Sequence, residues 1–340
     1  PSQLSLDEER YQNEIELKKR QFPADNLDPA SREQCLRATY DMNSKRWNLI
    51  TVSDESSSKP SLAFDFKGDL FNSRAQWPKI SVVVPTFNQG QYIEETITSI
   101  LSQNYPNLQV IIIDGGSSDQ TVDIVNRYID RVDYFVSEPD KGQSHAINKG
   151  FAVADGDIFT WLNSDDQFQA DALFSVALEF KLTEADMVIG ICEVCQDGEV
   201  VNRHLTCNEE TFPLRDILDL DSGWNAGQFV YQPETFFTKE LWSRAGGYVR
   251  EDCYYSMDYE LWARFAIQNA AISVIGTPLI EFRAHPEQKT AEPEKFKREL
   301  KEVRKQVIEE HDINYQPLDR PKPDWSKKLT IAFLNDHGFK

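Results

Sequence analysis

Positive charge is what this chain of 340 residues is short of: 36 Lys and Arg stand against 56 Asp and Glu, a formal net charge of −20. Nucleic-acid binders draw affinity from cationic contacts to phosphate, so the balance argues against that class. Cysteine is scarce, with five scattered residues that make no secreted disulfide framework. A reducing, cytoplasmic setting is the expectation. No apolar run approaches the ~20 residues that a membrane-spanning helix needs, and no signal-peptide pattern opens the chain. Gly-rich phosphate cradles are missing as well, since neither a dinucleotide fingerprint nor a Walker loop occurs. The chain opens on Pro1 without a methionine and stops at Lys340, as a piece of a larger protein would.

What is present is enough for a substantial core: 40% hydrophobic and 11% aromatic residues rule out wholesale disorder. The length allows one large α/β domain with appendages, or two ordinary domains. The acidic excess is uneven, because residues 79–285 carry −19 of the −20. Solubility explains such a charge blandly. The sharper expectation is that part of it awaits a cation.

Residues 1–20 read as a surface helix, with Ser5 and Glu8 as a capping box. Residues 21–60 are turn-rich and end in a low-complexity stretch, Ser53 to Pro60, that reads as linker. The character changes at Pro78. Lys79–Pro85 is a short continuous apolar run, the mark of a strand buried on both faces. Helical spacing of Tyr92, Ile93, Ile97, Ile100 and Leu101 follows, then strands at 108–113, 132–136 and 157–162 alternating with helices at 121–128 and 144–154. Alternation at this pace predicts a parallel sheet of βαβ units. Beyond 185 the pattern loosens. Strands are expected at 186–191, 199–203, 234–237 and 271–275, and helices at 213–220, 239–245 and 258–269. Phe296, Leu300, Val303 and Val307 make a one-faced packing helix. Residues 317–340 read as a linker and tail, with 328–334 as a strand that would begin a further module. The expected domains are therefore 1–60, 61–290, 291–316 and 317–340.

Ligands of such sheets bind at the carboxyl ends of the strands. The four early strands end in Pro85-Thr-Phe-Asn88, Asp114-Gly-Gly-Ser-Ser-Asp119, Ser137 to Ser144, and Asn163-Ser-Asp-Asp166. Each alone reads as helix capping. Four in succession along one edge point to a site. Adjacent carboxylates at 165 and 166, with 114 on the same edge, are costly unless a cation sits there. Carboxylate, water and substrate phosphate together are how Mg²⁺ or Mn²⁺ is usually held. Cys192 and Cys195, with His204 and Cys207, make a poor zinc set, because 192 and 195 point to opposite faces of a strand.

These segments, with Ser99-Ile-Leu-Ser-Gln-Asn-Tyr-Pro106 and Trp161 to Asp166, resemble family 2 glycosyltransferases over roughly 79–290. The resemblance implies a GT-A fold: an α/β, Rossmann-like, mostly parallel central sheet flanked by helices, here with an N-terminal helical extension and a C-terminal helix. It implies an inverting enzyme of the EC 2.4 class that moves a single sugar from a nucleoside-diphosphate sugar, a UDP- or dTDP-sugar, to a hydroxyl of a glycan or lipid-linked acceptor. Pro85, Thr86, Asn88 and Asp114 would line the nucleoside pocket, with Lys141, Gln143, Asn163 and Ser164 also on the donor. Asp165 would hold Mn²⁺ or Mg²⁺, and His285 is a second metal candidate. The family's acidic pair here reads Asn163-Ser-Asp165, so its first position is an amide.

Met257-Asp-Tyr-Glu-Leu-Trp262 resembles the acceptor-side segment of the family, which makes Asp258 the catalytic base; an ordinary N-cap is the alternative. Glu260 faces elsewhere at i+2. Trp224, Glu234 and Asp166 are further acceptor candidates. The resemblance points to polysaccharide biosynthesis at the cell envelope, in the cytoplasm or peripherally at the inner membrane face. Two rivals are a non-catalytic glycan-binding or scaffold module and a sugar-nucleotide nucleotidyltransferase. The latter would want a charged Gly-rich loop where Thr86-Phe-Asn-Gln-Gly-Gln91 stands.

Overall fold

The computed structural model describes residues 35–41, 46–52, 77–204, 206, 213–221, 229–286, 288–289 and 293–316. The chain divides into two compact units, Pro1–Gln76 with Phe333–Lys340, and Trp77–Ala332. In the first, β1 (Cys35–Asp41) and β2 (Arg46–Val52) pair antiparallel, Cys35 opposite Val52. Both strands fall within the stretch 21–60 that was expected to be turn-rich, ahead of the 53–60 linker. Trp47 through Val52 is mostly β-forming, and only residues 42–45 separate the two runs. The expected helix at 1–20, the linker at 317–324 and the strand at 328–334 lie outside the described residues. The second unit begins at Trp77, sixteen residues after the boundary expected at 61.

Its first half follows the predicted alternation. Strands β3 (Ile80–Thr86), β4 (Leu108–Asp114), β5 (Tyr134–Ser137) and β6 (Ile158–Trp161) are separated by α1 (Ile93–Leu101), α2 (Thr121–Asn126) and α3 (Gln143–Val153). All seven residues of β3 are buried, as a central parallel strand covered on both faces requires. The register sets Thr86 beside Asp114 and Asp114 beside Ser137, so the polar strand ends share one edge. On one face α3 lies against β3 so closely that a Cβ on Gly150 would sit 2.3 Å from Val83 Cγ1.

The second half is mixed. Beyond β6 come β7 (Gln167–Phe168), α4 (Ala172–Leu182), β8 (Met187–Gln196), β9 (Glu199–His204) and α5 (Leu214–Leu218). Then follow β10 (Thr235–Thr238), α6 (Lys239–Arg244), α7 (Met257–Ile267), β11 (Ile272–Arg283) and α8 (Pro293–Glu310). The sheet order is β5-β4-β3-β6-β10-β8-β11-β7, with β9 against β8. Strand β10 runs antiparallel to both β6 and β8 and so joins the two halves. Helix α4 escapes periodicity because Ala172, Leu173, Phe174, Val176 and Ala177 are all buried, which leaves no polar stripe to mark it. β11 outruns the expected 271–275 because register shifts around Pro278 let pairing with β8 resume as far as Arg283.

Helix α7 is buried nearly all round within an aromatic core. Trp161 stacks on Trp262 at 6.0 Å, and Phe237 meets Phe265 at 5.1 Å. Inside it, Arg264 bonds Glu260 at 2.9 and 2.8 Å and donates to Tyr248 O at 2.7 Å. Leu300, Val303 and Val307 of α8 pack into the same core.

Candidate active site

A cleft of about 650 Å³ opens at the carboxyl edge of the parallel strands. The ends of β3 and β4 contribute Pro85, Thr86, Gln89 and Gly115; the segment after β6 contributes Asn163, Ser164 and Asp165. Tyr231, Gln232 and Pro233 precede β10; Tyr254, Tyr255, Met257 and Asp258 lead into α7; Phe282, Gln288 and Lys289 close β11. One cavity thus collects groups from both halves of the sheet.

At the strand ends the backbone is fixed by side chains. Asp114 is fully buried: Oδ2 accepts from Gly116 N (3.1 Å), Ser117 N (2.9 Å) and Ser137 Oγ (2.6 Å), while Oδ1 accepts from Ser117 Oγ. Asn88 adopts φ 50°, a left-handed conformation that Asn tolerates, and its Oδ1 accepts from Ser118 N at 2.9 Å. Neither side chain lines the cleft. Together they hold the two loops side by side, so that Thr86 and Gln89 do line it. Thr86 Oγ1 and Gln89 Oε1 are buried without a hydrogen-bond partner among the described residues. Buried polar atoms are rarely left unmade, so these two mark a place for a polar ligand. Asp140 also lines the cleft, and a Cβ on Gly115 would meet its Oδ2 at 2.8 Å. Sequence reasoning missed Gln89 and Asp140.

After β6, Gln143 Nε2 donates to Asn163 Oδ1 (2.7 Å), and Asn163 Nδ2 donates to Asp166 Oδ2 (3.2 Å) and Gln232 Oε1 (3.3 Å). Next to this network Asp165 Oδ2 lies 3.0 Å from His285 Nε2. The ring of His285 stacks on Tyr92 at 4.8 Å, and Arg283 covers Tyr92 at 4.9 Å. The residues fit a small divalent cation. A carboxylate oxygen and an imidazole nitrogen are both donors that such an ion takes, and the two stand together at 3.0 Å. No group of three or more His, Cys, Asp or Glu able to hold a metal occurs among the described residues. A bound ion would therefore complete its shell with water and ligand phosphate, as Mg²⁺ usually does.

Asp258 stands at the first turn of α7 and faces the cleft half-buried. Desolvation by the surrounding walls pushes its carboxyl up to about 6, against the pull of the Tyr259 N–H at 2.8 Å and of Lys289. Lys289 itself is driven down to about 8 by burial, although Asp258 and Glu299 oppose the shift. Its Nζ donates to Tyr254 O at 3.1 Å and sits 4.2 Å from the Tyr254 ring centre. Glu260 is turned away into its pair with Arg264. Lys289, Tyr254 and Tyr255 were not singled out from the sequence. The only signal was their adjacency to His285 and Asp258.

Three expected acceptor residues fare differently. Trp224 lies outside the described residues. Asp166 and Glu234 are 0% exposed and do not line the cleft. Asp166 accepts from Arg283 N (3.1 Å), and burial, then the charge of Asp165, pushes its pKa well up. Glu234 is raised by burial despite its contact with His204 Nδ1 at 3.2 Å, and it accepts from Tyr231 N at 3.0 Å. Both carboxyls brace the backbone beneath the cleft, and Tyr254, Tyr255 and Lys289 line it near Asp258 instead. Lys141 is exposed and off the cleft, its N–H donating to His145 Nδ1 at 3.2 Å.

Residues 81–240 match glycosyl transferase family 2. It is 25% identical to an uncharacterized glycosyltransferase of Rickettsia typhi over 63% of this chain and 66% of that protein. It is 34% identical to the GalNAc(5)-diNAcBac-PP-undecaprenol beta-1,3-glucosyltransferase of Campylobacter jejuni, over 36% of this chain and 41% of the relative. The chain thus spans less than two thirds of either protein. The structure of S. aureus TarS 1-349 in complex with UDP-GlcNAc aligns with a TM-score of 0.55 at 22% identity, covering 76% of this chain and 72% of that one. The shared architecture is the GT-A fold.

Proposed function

We propose that the protein transfers a single sugar, with inversion, from a nucleoside-diphosphate sugar to a hydroxyl of a glycan or lipid-linked acceptor. The observation that carries this reading is one cleft with two chemically distinct ends, the unpartnered Thr86 and Gln89 beside the Asp165–His285 pair at one and Asp258 at the other. The TarS complex supports UDP-GlcNAc as a first donor to test. The name of the Campylobacter relative supports a polyprenyl-diphosphate-linked acceptor. No helix among the described residues is long and apolar enough to cross a membrane.

Thr86 and Gln89 would bond the nucleoside, with Asp114 and Asn88 fixing the loops that present them. Asp165 and His285 would hold Mn²⁺ or Mg²⁺, which would neutralise the leaving diphosphate. Asp258 takes the proton of the attacking hydroxyl. A carboxylate near 6 is a stronger base than one at the ordinary 3.8 and is still ionised at neutral pH. Lys289 keeps Asp258 ionised by its charge, and the half-exposed ring faces of Tyr254 and Tyr255 offer apolar surface to a sugar. The test is UDP release from UDP-GlcNAc with and without Mn²⁺ and a lipid-linked acceptor. Metal-independent binding of the donor, with no release under any condition, would sink the reading.

A further inference from the structure

Glu299 lies on α8, outside the family-matched segment, and its carboxylate reaches the start of α7. Its Oε1 accepts from Tyr255 N at 2.6 Å, Ser256 N at 2.8 Å and Ser256 Oγ at 3.0 Å. Ser256 occupies the cap position of α7, yet its side chain makes no capping bond to that helix. A carboxylate more than forty residues downstream thus secures the amides just ahead of the helix and adds negative charge where the helix dipole favours it. Ser256 is 0% exposed, so little water could replace these bonds if they were lost. Lys289 Nζ in turn binds Tyr254 O. Residues 254–256, which carry two cleft tyrosines and lead directly into Asp258, are thus held by both side chains. Glu299 is itself anchored, since the neighbouring Leu300 is buried in the core with Val303 and Val307.

Resting on the reading of Asp258 as the base, we propose that Glu299 is a positioning residue that fixes Asp258 and the Tyr254–Tyr255 wall in their working geometry. The C-terminal helix is then part of the catalytic apparatus, through its bonds to residues that touch substrate. The charged groups facing Asp258 among the described residues are Lys289, from the segment after β11, and Glu299, from α8. The two roles of Glu299, hydrogen-bond acceptor and charge, separate in two variants. Glu299→Gln keeps an acceptor oxygen and removes the charge, whereas Glu299→Ala removes both.

The experiment uses the full chain. Asp258 is followed by carboxyl-detected NMR, its signal assigned by loss in Asp258→Asn, and UDP release from UDP-GlcNAc with Mn²⁺ gives turnover. In Glu299→Gln the titration of Asp258 should move to lower pH, because a neighbouring negative charge that disfavours its ionisation is gone. Turnover at neutral pH should fall about threefold, less than in Glu299→Ala, because one acceptor oxygen remains. In Glu299→Ala turnover per folded molecule should fall about 10- to 100-fold, the scale of a misplaced catalytic group. Amide exchange of Tyr255 and Ser256 should rise with little change elsewhere. Unmoved Asp258 titration in Glu299→Gln, or wild-type turnover in Glu299→Ala, overturns the proposal. If Glu299→Ala does not fold, the titration in Glu299→Gln decides alone. Normal turnover in Asp258→Asn would instead refute the base, so the two failures are distinguishable.

Discussion

Asp114 lies buried behind the strand ends and Asp258 lines the cleft, and the structure treats the two in opposite ways. Asp114, at the end of a central parallel strand, is fully buried and accepts four hydrogen bonds. Asp258, at the first turn of α7, accepts one backbone bond, keeps part of its surface open, and is pushed up to about 6. The parallel half spends its carboxylates on shaping loops, and Asp166 does the same under the adjacent strand end. The mixed half leaves Asp258 poorly satisfied beside Lys289, which burial likewise destabilises in its charged form. A group that must exchange a proton has to be poised near the working pH, and incomplete solvation achieves that. A group that must hold a loop is better saturated.

The contrast breaks most visibly at Asp258 itself. Asp258→Asn should lower turnover about 10³-fold while donor affinity stays within about twofold, measured by UDP release and calorimetric titration of UDP-GlcNAc. Next in size is Glu260→Ala, two residues along the same helix. It strands Arg264 in the core and should cost about 3–5 kcal/mol of stability by chemical denaturation, the usual penalty for half a buried ion pair. Asp165→Ala should weaken Mn²⁺-supported donor binding about 100-fold and leave the weak metal-free binding unchanged, as the same titration with and without Mn²⁺ would report. Gly150→Ala drives a methyl into Val83 and should destabilise by about 1–3 kcal/mol in thermal melts.

The smallest effect is the most pointed. A carboxyl raised from 3.8 to about 6 in the folded state destabilises the fold increasingly as pH rises above 3.8, and in full once the pH exceeds the folded value. Asp258→Asn should therefore be more stable than wild type at pH 8, by about 1–2 kcal/mol after allowing for the open side of the group. The gain should shrink as pH falls through 6 and vanish near 4. Equal gains at pH 8 and pH 4 would show that Asp258 is no more perturbed than a surface carboxylate.

The parallel half was legible because its signal is local. Val82–Pro85 is an unbroken apolar run that Ile80 extends across Ser81, and such a run between turns has few readings besides a strand covered on both faces. The polar tips after β3, β4 and β6 followed from the rule that ligands sit at carboxyl ends. Helix α4 and the far end of β11 were not legible. One is apolar over most of its circumference, with only Ser175, Glu179 and Lys181 to break it, and shows little period to read. The other is interrupted by Gly276-Thr-Pro278, which in sequence ends a strand and in the sheet is absorbed by a register shift. Among site residues, Asp165, His285 and Asp258 were visible through motif resemblance. Lys289, Gln89 and the Tyr254–Tyr255 pair were not, because nothing in their own residue types separates them from surface.

The sequence alone determined which groups could do chemistry: the strand-end carboxylates, the acidic excess confined to 79–285, and the aspartate opening a buried helix. It did so because strand runs and helix starts are written in adjacent residues. Which of those carboxylates would brace and which would face a ligand was decided only in three dimensions. Asp166 and Asp165 are neighbours in sequence, yet one accepts from Arg283 N, 117 residues away, and the other lines the cleft and meets His285. Likewise the amides ahead of Asp258 are held by Glu299 from another helix. Desolvation and hydrogen-bond saturation are properties of a surrounding volume, and that volume is filled by residues far apart along the chain.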